Sequence, residues 1–293
     1  MKRSRGDRSF DVVVTLVLVL VIIVTVYPFL HILAISLNDA RDSAAGGIGI
    51  IPRKLSLDSY RAVFGFENIY ASFGISASRT VLGTLLSLVI TSMAAFVMTK
   101  NYLVFFKGFY RFFVISMFIN GGLIPTFLLY QGLGLYNSFL VYILPYAFNV
   151  FYMILFRTYF IGIPREVEES AFMDGAGEMV IFVRIIFPLS LPIFATVGLF
   201  MAVRQWNQWQ DTLFFTSDTK LETLQFVLMK VLRQAEAASM SKQARSLLQK
   251  TVSITPQSIK MSISIVATLP ILIVYPFLQK FFVKGIMIGA VKG

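Results

Sequence analysis

Five windows of this chain contain no Lys, Arg, Asp or Glu: residues 12–38, 80–99, 112–156, 185–203 and 261–279. A bilayer is crossed by about 20 consecutive apolar residues in helical conformation. Four of the windows suit one crossing each. The third is too long for a single helix and contains the turn-like run Gln131-Gly132-Leu133-Gly134-Leu135-Tyr136-Asn137. It reads as two helices joined by a short hairpin. The expected fold is therefore an all-α integral membrane protein with six spans, near 10–37, 71–99, 111–131, 138–160, 185–208 and 260–281. Together they form a single transmembrane domain over 1–293.

Composition agrees. Hydrophobic residues make up 57% of the chain and charged residues 14%, against about 25% charged in soluble domains. Cysteine is absent and His31 is the single histidine. That removes disulfides, thiol nucleophiles, thiolate zinc sites and His-based metal clusters. No Gly-x-x-x-x-Gly-Lys loop occurs, so the chain has no nucleotide site of that kind. No pair of carboxylates converges inside the spans, and no catalytic residue is assigned. His31 follows Pro28 in span 1 and reads as a hydrogen-bonding residue, not a metal ligand.

Six spans place both termini on one side. The net charge of +11 does not by itself decide which, because basic residues are spread over both faces. Lys2, Arg3, Arg5 and Arg8 stand directly before the first span, where the positive-inside tendency is strongest. Both termini are expected in the cytoplasm. A cleavable signal peptide is disfavoured because the first apolar run exceeds the usual 7–15 residues and no clear small-x-small site closes it.

The informative connection is the cytoplasmic loop 161–187. Pro164 suits a helix start. Glu166, Glu168 and Glu169 fall in the first turn, where negative charge favours the positive helix end. Gly175 permits a tight reversal. A second helix is expected from about residue 176 to 186, with Ile181, Phe182, Ile185 and Ile186 beside Arg184.

The order of residues here resembles the EAA signature of membrane subunits of bacterial ABC importers: Glu-Ala-Ala, three residues, Gly, nine residues, Ile-x-Leu-Pro. The chain has Glu169-Ser170-Ala171, then Gly175 after three residues, then Ile185-Ile186-Phe187-Pro188 after nine more. Ser170 replaces the first Ala and Phe187 the Leu. The wider Glu-Glu-Ser-Ala-x-x-Asp-Gly-Ala with Phe-Pro-Leu-x-x-Pro is similar to the carbohydrate-uptake branch. Gly121-Gly122-Leu123-Ile124-Pro125-Thr126, Trp206-Asn207 and the terminal Phe282-Val283-Lys284-Gly285-Ile286-Met287-Ile288-Gly289-Ala290-Val291-Lys292-Gly293 extend the resemblance to the second membrane subunit of the maltose-type family. The oligosaccharide group with alginate and pectin-fragment importers is the most similar.

The resemblance implies a type I-like importer subunit in the bacterial cytoplasmic membrane, working with a second, non-identical membrane subunit. A dimer of ATPase subunits would carry the ATP and Mg, with no cofactor or metal in this chain. An extracytoplasmic binding protein would deliver an oligosaccharide, and nucleic acid has no part. Glu169, Ser170, Ala171, Asp174, Gly175, Ile185 and Pro188 would couple to the ATPase. The tail 282–293 would approach the ATPase through Lys284, Gly285 and Gly289. The outer loop 210–259 would touch the binding protein. Its segment 221–248 shows a helical pattern, with Leu224, Val227, Leu228, Val231 and Leu232 on one side and Lys230, Arg233 and Glu236 on another.

Two arginines lie near the membrane, Arg79 early in span 2 and Arg204 late in span 5. Each either snorkels to the interface or lines a cavity that meets sugar. Tyr130, Gln131, Tyr146, Asn149, Trp206, Asn207 and Trp209 supply aromatic faces and hydrogen-bonding groups for a sugar, or belong to interfacial belts. An importer of another solute and an ion-coupled secondary transporter are the competing readings. The latter needs ionisable residues within spans or repeated halves; the charge-free windows hold no carboxylate, and no convincing internal repeat is found.

Overall fold

A computed structural model of the chain describes residues 5–66, 68–100, 102, 104–240 and 255–290. Among them the regular structure is helical, with no β-strand beyond one isolated bridge between Asn38 and Leu55. The chain divides into two compact units, Met1–Ile69 with Leu228–Leu269, and Tyr70–Val227 with Pro270–Gly293.

In the first unit, α1 (Arg5–Ser36) is a 32-residue helix whose most apolar stretch is wholly exposed. A long apolar face left bare within one chain is suited to lipid or to a partner. After α1 the chain turns through α2 (Ala40–Ala44) and α3 (Asp58–Phe64). The buried Asn38 organises this turn: its amide donates to Asp42 and Ser43 at 3.0 Å, and its Oδ1 accepts from Lys54 N at 2.7 Å. With Arg53 also paired to Asp42 at 3.1 Å, the hydrogen bond from Asn38 outweighs partial desolvation and holds the Asp42 carboxyl below its ordinary range. His31 hydrogen-bonds through Nδ1 to Gly49 O at 2.9 Å, the bonding role expected of it.

In the second unit, α4 (Ile69–Val97) is a 29-residue apolar helix that the boundary between units crosses at its first residue. The short helices α5 (Phe106–Ser116) and α6 (Leu123–Gly132) follow. Two 3-10 turns (Phe139–Tyr142 and Leu144–Tyr146) lead into α7 (Val150–Ile161). Then come α8 (Arg165–Met173), α9 (Glu178–Ile181), a π turn (Phe182–Ile186), α10 (Phe187–Leu189) and α11 (Leu191–Asn207). The helix α12 (Gln210–Phe215) precedes α13 (Leu224–Met240) and α14 (Pro256–Ala290), and both of these run across the unit boundary. The core joins α4, α7 and α9 to α11 through Phe96, Met153, Phe156, Phe160, Ile181, Ile186, Phe194 and Val197. Within a bilayer such contacts stabilise through close packing and not through exclusion of water.

Among the described residues three helices are long and apolar enough to cross a membrane: Phe10–Ser36, Ile69–Val97 and Pro256–Pro276. They correspond to expected spans 1, 2 and 6. The middle spans are broken. Expected span 3 is divided between α5 and α6 by residues 117–122, where Gly122 takes φ 81° and donates its N–H to Asn120 Oδ1 at 2.9 Å. Expected span 4 bends by 45° where the 3-10 turns, which include Pro145, meet α7. Expected span 5 bends by 83° at Ser190, between Pro188 and Pro192. Each proline removes a backbone donor and crowds the preceding turn, which favours a break at this point. Counting each bent pair as one crossing gives up to five. The sequence windows report apolarity, and these interruptions carry no charge to mark them.

Candidate functional site

Arg79 sits on α4 with its side chain 1% exposed. Its Nε and Nη2 donate to Gln205 Oε1 at 3.2 and 2.9 Å, and Nη1 donates to Gln208 O at 3.0 Å. Nη2 also donates to Asp211 Oδ2 at 2.7 Å. The guanidinium lies 4.5 Å from the centre of the Tyr142 ring. Asp211 Oδ1 accepts from the Tyr146 hydroxyl at 2.8 Å and from Gln208 Nε2 at 3.1 Å. Gln205 is held in turn by donating to Tyr142 O at 3.2 Å. A buried ion pair persists only when further hydrogen bonds satisfy both groups, and here both are surrounded.

Four members of this network, Arg79, Tyr146, Gln205 and Gln208, line a cavity of ≈ 150 Å³, together with Asn149, Tyr152 and Arg204. Gly83 lets α4 approach: a Cβ there would stand 2.7 Å from Gln205 Nε2. Arg204 is exposed, with its guanidinium 5.3 Å from the Tyr146 ring centre.

The second constellation surrounds the loop between α7 and α11. Helix α8 ends in a Schellman turn. Gly175 takes φ 81°, its N–H donates to Phe172 O at 3.0 Å, and Ala176 N–H donates to Ala171 O at 3.0 Å. Helix α9 then begins at Glu178, two residues later than the sequence pattern suggests, with Gly177 at its cap. Lys100, just past the end of α4, reaches both sides of the turn. Its Nζ lies 2.6 Å from Glu168 Oε2 and 3.1 Å from Glu178 Oε2, and 4.3 Å from the Phe96 ring centre. Tyr102 also donates its hydroxyl to Glu178. That bond, with desolvation and the charges of Glu178 and Glu168, pushes the Tyr102 hydroxyl above its ordinary range. Glu169, Ser170, Asp174 and Gly175 are exposed.

No protein-family model matches the chain. The polygalacturonan/rhamnogalacturonan transport system permease protein YtcP of Bacillus subtilis (strain 168) is 37% identical over 288 residues, covering 98% of this chain and 99% of that one. Protein LplC of the same organism is 38% identical over 293 residues, covering 100% and 98%. The chain belongs to the family of sugar ABC transporter permeases. A chain in the crystal structure of a bacterial ABC transporter involved in the import of the acidic polysaccharide alginate superposes on this permease with a TM-score of 0.83. It is 27% identical, and the match covers 96% of this chain and 99% of that one.

The permease draws four of the residues singled out from its sequence to one place: Arg79, Tyr146, Asn149 and Arg204. The others lie apart. Trp206 packs edge-on against Phe73 at 5.8 Å, and Tyr130 packs against Phe215 at 4.9 Å. Gln131 is exposed at the end of α6, Asn207 Oδ1 accepts from Gln225 Nε2 at 3.5 Å, and Trp209 precedes α12. Asn149 also caps α7, accepting from Tyr152 N at 3.1 Å. Arg79 does not snorkel. It is neutralised inside the protein by Asp211, which the sequence places in the outer loop and the structure buries. A charge inside an apolar span calls for a partner, and that signal went unused: Asp211, soon after the expected end of span 5, was not singled out from the sequence. Gln205, Gln208 and Tyr142 carried no comparable mark.

Ile185 lies in the π turn and Pro188 in α10, both before the sharp bend at Ser190. Lys284, Gly285 and Gly289 fall on α14, whose backbone stays helical to Ala290. Residues 291–293 of the tail and 241–254 of the outer loop lie outside the described residues. In the described part of that loop, Leu224, Val227, Leu228 and Val231 are buried as their periodicity suggests. Among the described residues no group of three or more His, Asp or Glu could hold a metal ion.

Proposed function

We propose that this permease forms half of the translocation pathway of an ATP-driven, binding-protein-dependent oligosaccharide importer. It would lie in the bacterial cytoplasmic membrane as one domain of six spans, the bent pairs and α5 with α6 each counting as crossings, with both termini cytoplasmic. The reading of an oligosaccharide draws support from the named relatives, which include an arabinooligosaccharides transport system permease, AraQ of Bacillus subtilis (strain 168), 29% identical over 303 residues.

The observation that carries the mechanism is the Lys100 contact with both Glu168 and Glu178. It ties α8 and α9 to the end of α4, so the turn between them is a stiff element. A force applied to its exposed face would be passed to α4, α7 and α11. A floppy loop would absorb it. In this reading Glu169, Ser170, Ala171, Asp174 and Gly175 present that face to a separate ATPase, and Ile185 and Pro188 pass the motion to α11. The chain itself is non-catalytic: ATP and Mg belong to the ATPase dimer. Lys284, Gly285 and Gly289 would contact the ATPase from the tail 282–293. A second, non-identical membrane subunit completes the pathway, and residues 210–259 face the binding protein. The ion-coupled alternative gains nothing from Asp211, since both its oxygens are engaged.

Affinity purification of the chain from its host should bring an ATPase and a second membrane protein with it. Proteoliposomes of that assembly should take up oligosaccharide only with ATP and binding protein. Uptake driven by an ion gradient without ATP would refute the proposal.

A further inference from the structure

We propose that residues 46–52 form an apolar wedge that seats Ile50 and Ile51 among the lipid acyl chains beside α1, with His31 holding the loop at the boundary between acyl chains and headgroups. The inference rests on the reading of the chain as a membrane permease and holds whichever side the termini face. The stem of this loop stands beyond the end of α1. Lys54 N donates to Asn38 Oδ1 and Asp39 N donates to Lys54 O, both at 2.7 Å. Arg53 closes the stem: its Nη2 donates to Gly46 O at 2.7 Å and its Nε to Asp42 Oδ2 at 3.1 Å. Gly46 and Gly47 then take φ 81° and 74°, conformations that glycine enters at little cost, and turn the chain back along the helix. The tip is fixed where His31 Nδ1 donates to Gly49 O at 2.9 Å. His31 precedes the last residue of α1, Ser36, by more than one turn. At about 1.5 Å per residue the tip therefore lies roughly 7 Å short of the helix end.

That level is the edge of the apolar layer. About 20 helical residues cross the layer, and a count of that length from Val12, the first residue after Asp11, ends at His31. The position meets both demands of the loop. Its irregular backbone carries polar groups that hydrocarbon excludes and headgroups solvate. Ile50 and Ile51, 49% and 73% exposed, call for apolar surroundings. They continue the bare surface of α1, on which Ile23, Tyr27 and Leu30 are exposed as well. The loop reads Gly46-Gly47-Ile48-Gly49-Ile50-Ile51-Pro52, with no charge, no hydrogen-bonding side chain and no aromatic ring. Protein interfaces concentrate their energy in Trp, Tyr and Arg. Branched aliphatic groups alone suit acyl chains, whose attraction has no direction. The pin is itself braced: the His31 ring stacks on Tyr27, with centres 6.0 Å apart and planes 6° apart.

The test uses the complete importer in vesicles of phosphatidylethanolamine and phosphatidylglycerol. A nitroxide label is attached at Ile51→Cys or, as the aqueous control, at Lys54→Cys. The unsubstituted chain has no cysteine and supplies the blank. The readout is the ratio of label collisions with oxygen, which concentrates in hydrocarbon, to collisions with a water-soluble nickel chelate. That ratio should be several-fold higher at position 51 than at 54, and His31→Ala should bring it down towards the value at 54. Copurification of all subunits establishes that each variant assembles. A ratio at 51 no higher than at 54 puts the loop in water and overturns the wedge. A label at 51 shielded from both reagents puts another protein against the loop and overturns the lipid assignment. An undiminished ratio in His31→Ala overturns His31 as the pin. Uptake by the same vesicles, given ATP and binding protein, tests the importer reading separately, so a failed wedge leaves that reading standing.

Discussion

Nη2 of Arg79 and Oδ2 of Asp211 lie 2.7 Å apart with both side chains nearly inaccessible, although 132 residues separate them in the chain. The pair joins α4 to the segment after α11. Removing one partner leaves a buried charge without compensation, which costs about 3–5 kcal/mol, whereas removing both can be close to neutral.

Arg79→Met and Asp211→Asn are each expected to lower the melting temperature of the purified complex markedly. The double variant should melt well above the temperature that adding the two losses would give. A double-mutant cycle measures this coupling. Strictly additive losses would mean that the two charges do not depend on one another.

Gly83 is the second device that maintains this network. Gly83→Ala sets a methyl group 2.7 Å from Gln205 Nε2, and Gln205 cannot move without loosening its bonds to Arg79 and Tyr142. A loss of about 1–3 kcal/mol is expected, the usual range for overpacking. Gly74→Ala, on the same helix with nothing within 4 Å of the added carbon, is the control and should melt no lower than wild type. Equal melting of the two variants would show that Gln205 adapts freely.

Lys100 is expected to set the stiffness of the α8–α9 turn. Lys100→Met removes the bridge to Glu168 and Glu178 and should raise amide hydrogen exchange across residues 165–181. ATP-driven uptake should fall several-fold, and Lys100→Arg should retain most of it. Unaltered exchange in Lys100→Met would show that the Schellman turn alone holds the two helices together.

Glu169→Lys leaves that bridge intact and alters the exposed face instead. ATP hydrolysis should continue while uptake falls, or the ATPase should fail to copurify. Gly175→Val acts differently: its φ of 81° is strained for a β-branched residue and costs about 1–3 kcal/mol. Normal assembly and uptake in both variants would count against the coupling role.

Topology is open to a chemical test because the chain has no cysteine. Cysteines placed at Lys54 and at Asp174 should divide cleanly: an impermeant thiol reagent added to intact cells should label the first and spare the second. The reverse pattern would invert the proposed orientation.

Much of this architecture was legible in the sequence. Apolar windows marked the helices Phe10–Ser36, Ile69–Val97 and Pro256–Pro276, because a helix in lipid needs little more than length and absence of charge. The interval from Glu169 to Gly175 anticipated a helix ended by a glycine in the left-handed region, since only glycine enters that region at little cost. The breaks in the middle spans were not legible. Gly122 and Ser190 interrupt helices within uninterrupted apolar sequence, where hydropathy is blind to backbone geometry.

The sequence by itself determined that this chain is helical and rich in apolar segments, where three of its long apolar helices lie, and which loop carries the Glu-Ser-Ala and Gly spacing. Those properties depend on residues near one another in the chain: windows of apolarity, turn residues and a local motif. Only the tertiary structure decided what each charge does. Arg79 and Arg204 look alike as basic residues near span ends. Folding brings Asp211, Gln205 and Gln208 around the first and leaves the second exposed over Tyr146. Glu168 and Glu169 are neighbours, but a helix turns about 100° per residue, so one faces Lys100 and the other faces outward. The fate of a charge depends on which groups surround it in space, and contacts more than a hundred residues apart are set by packing.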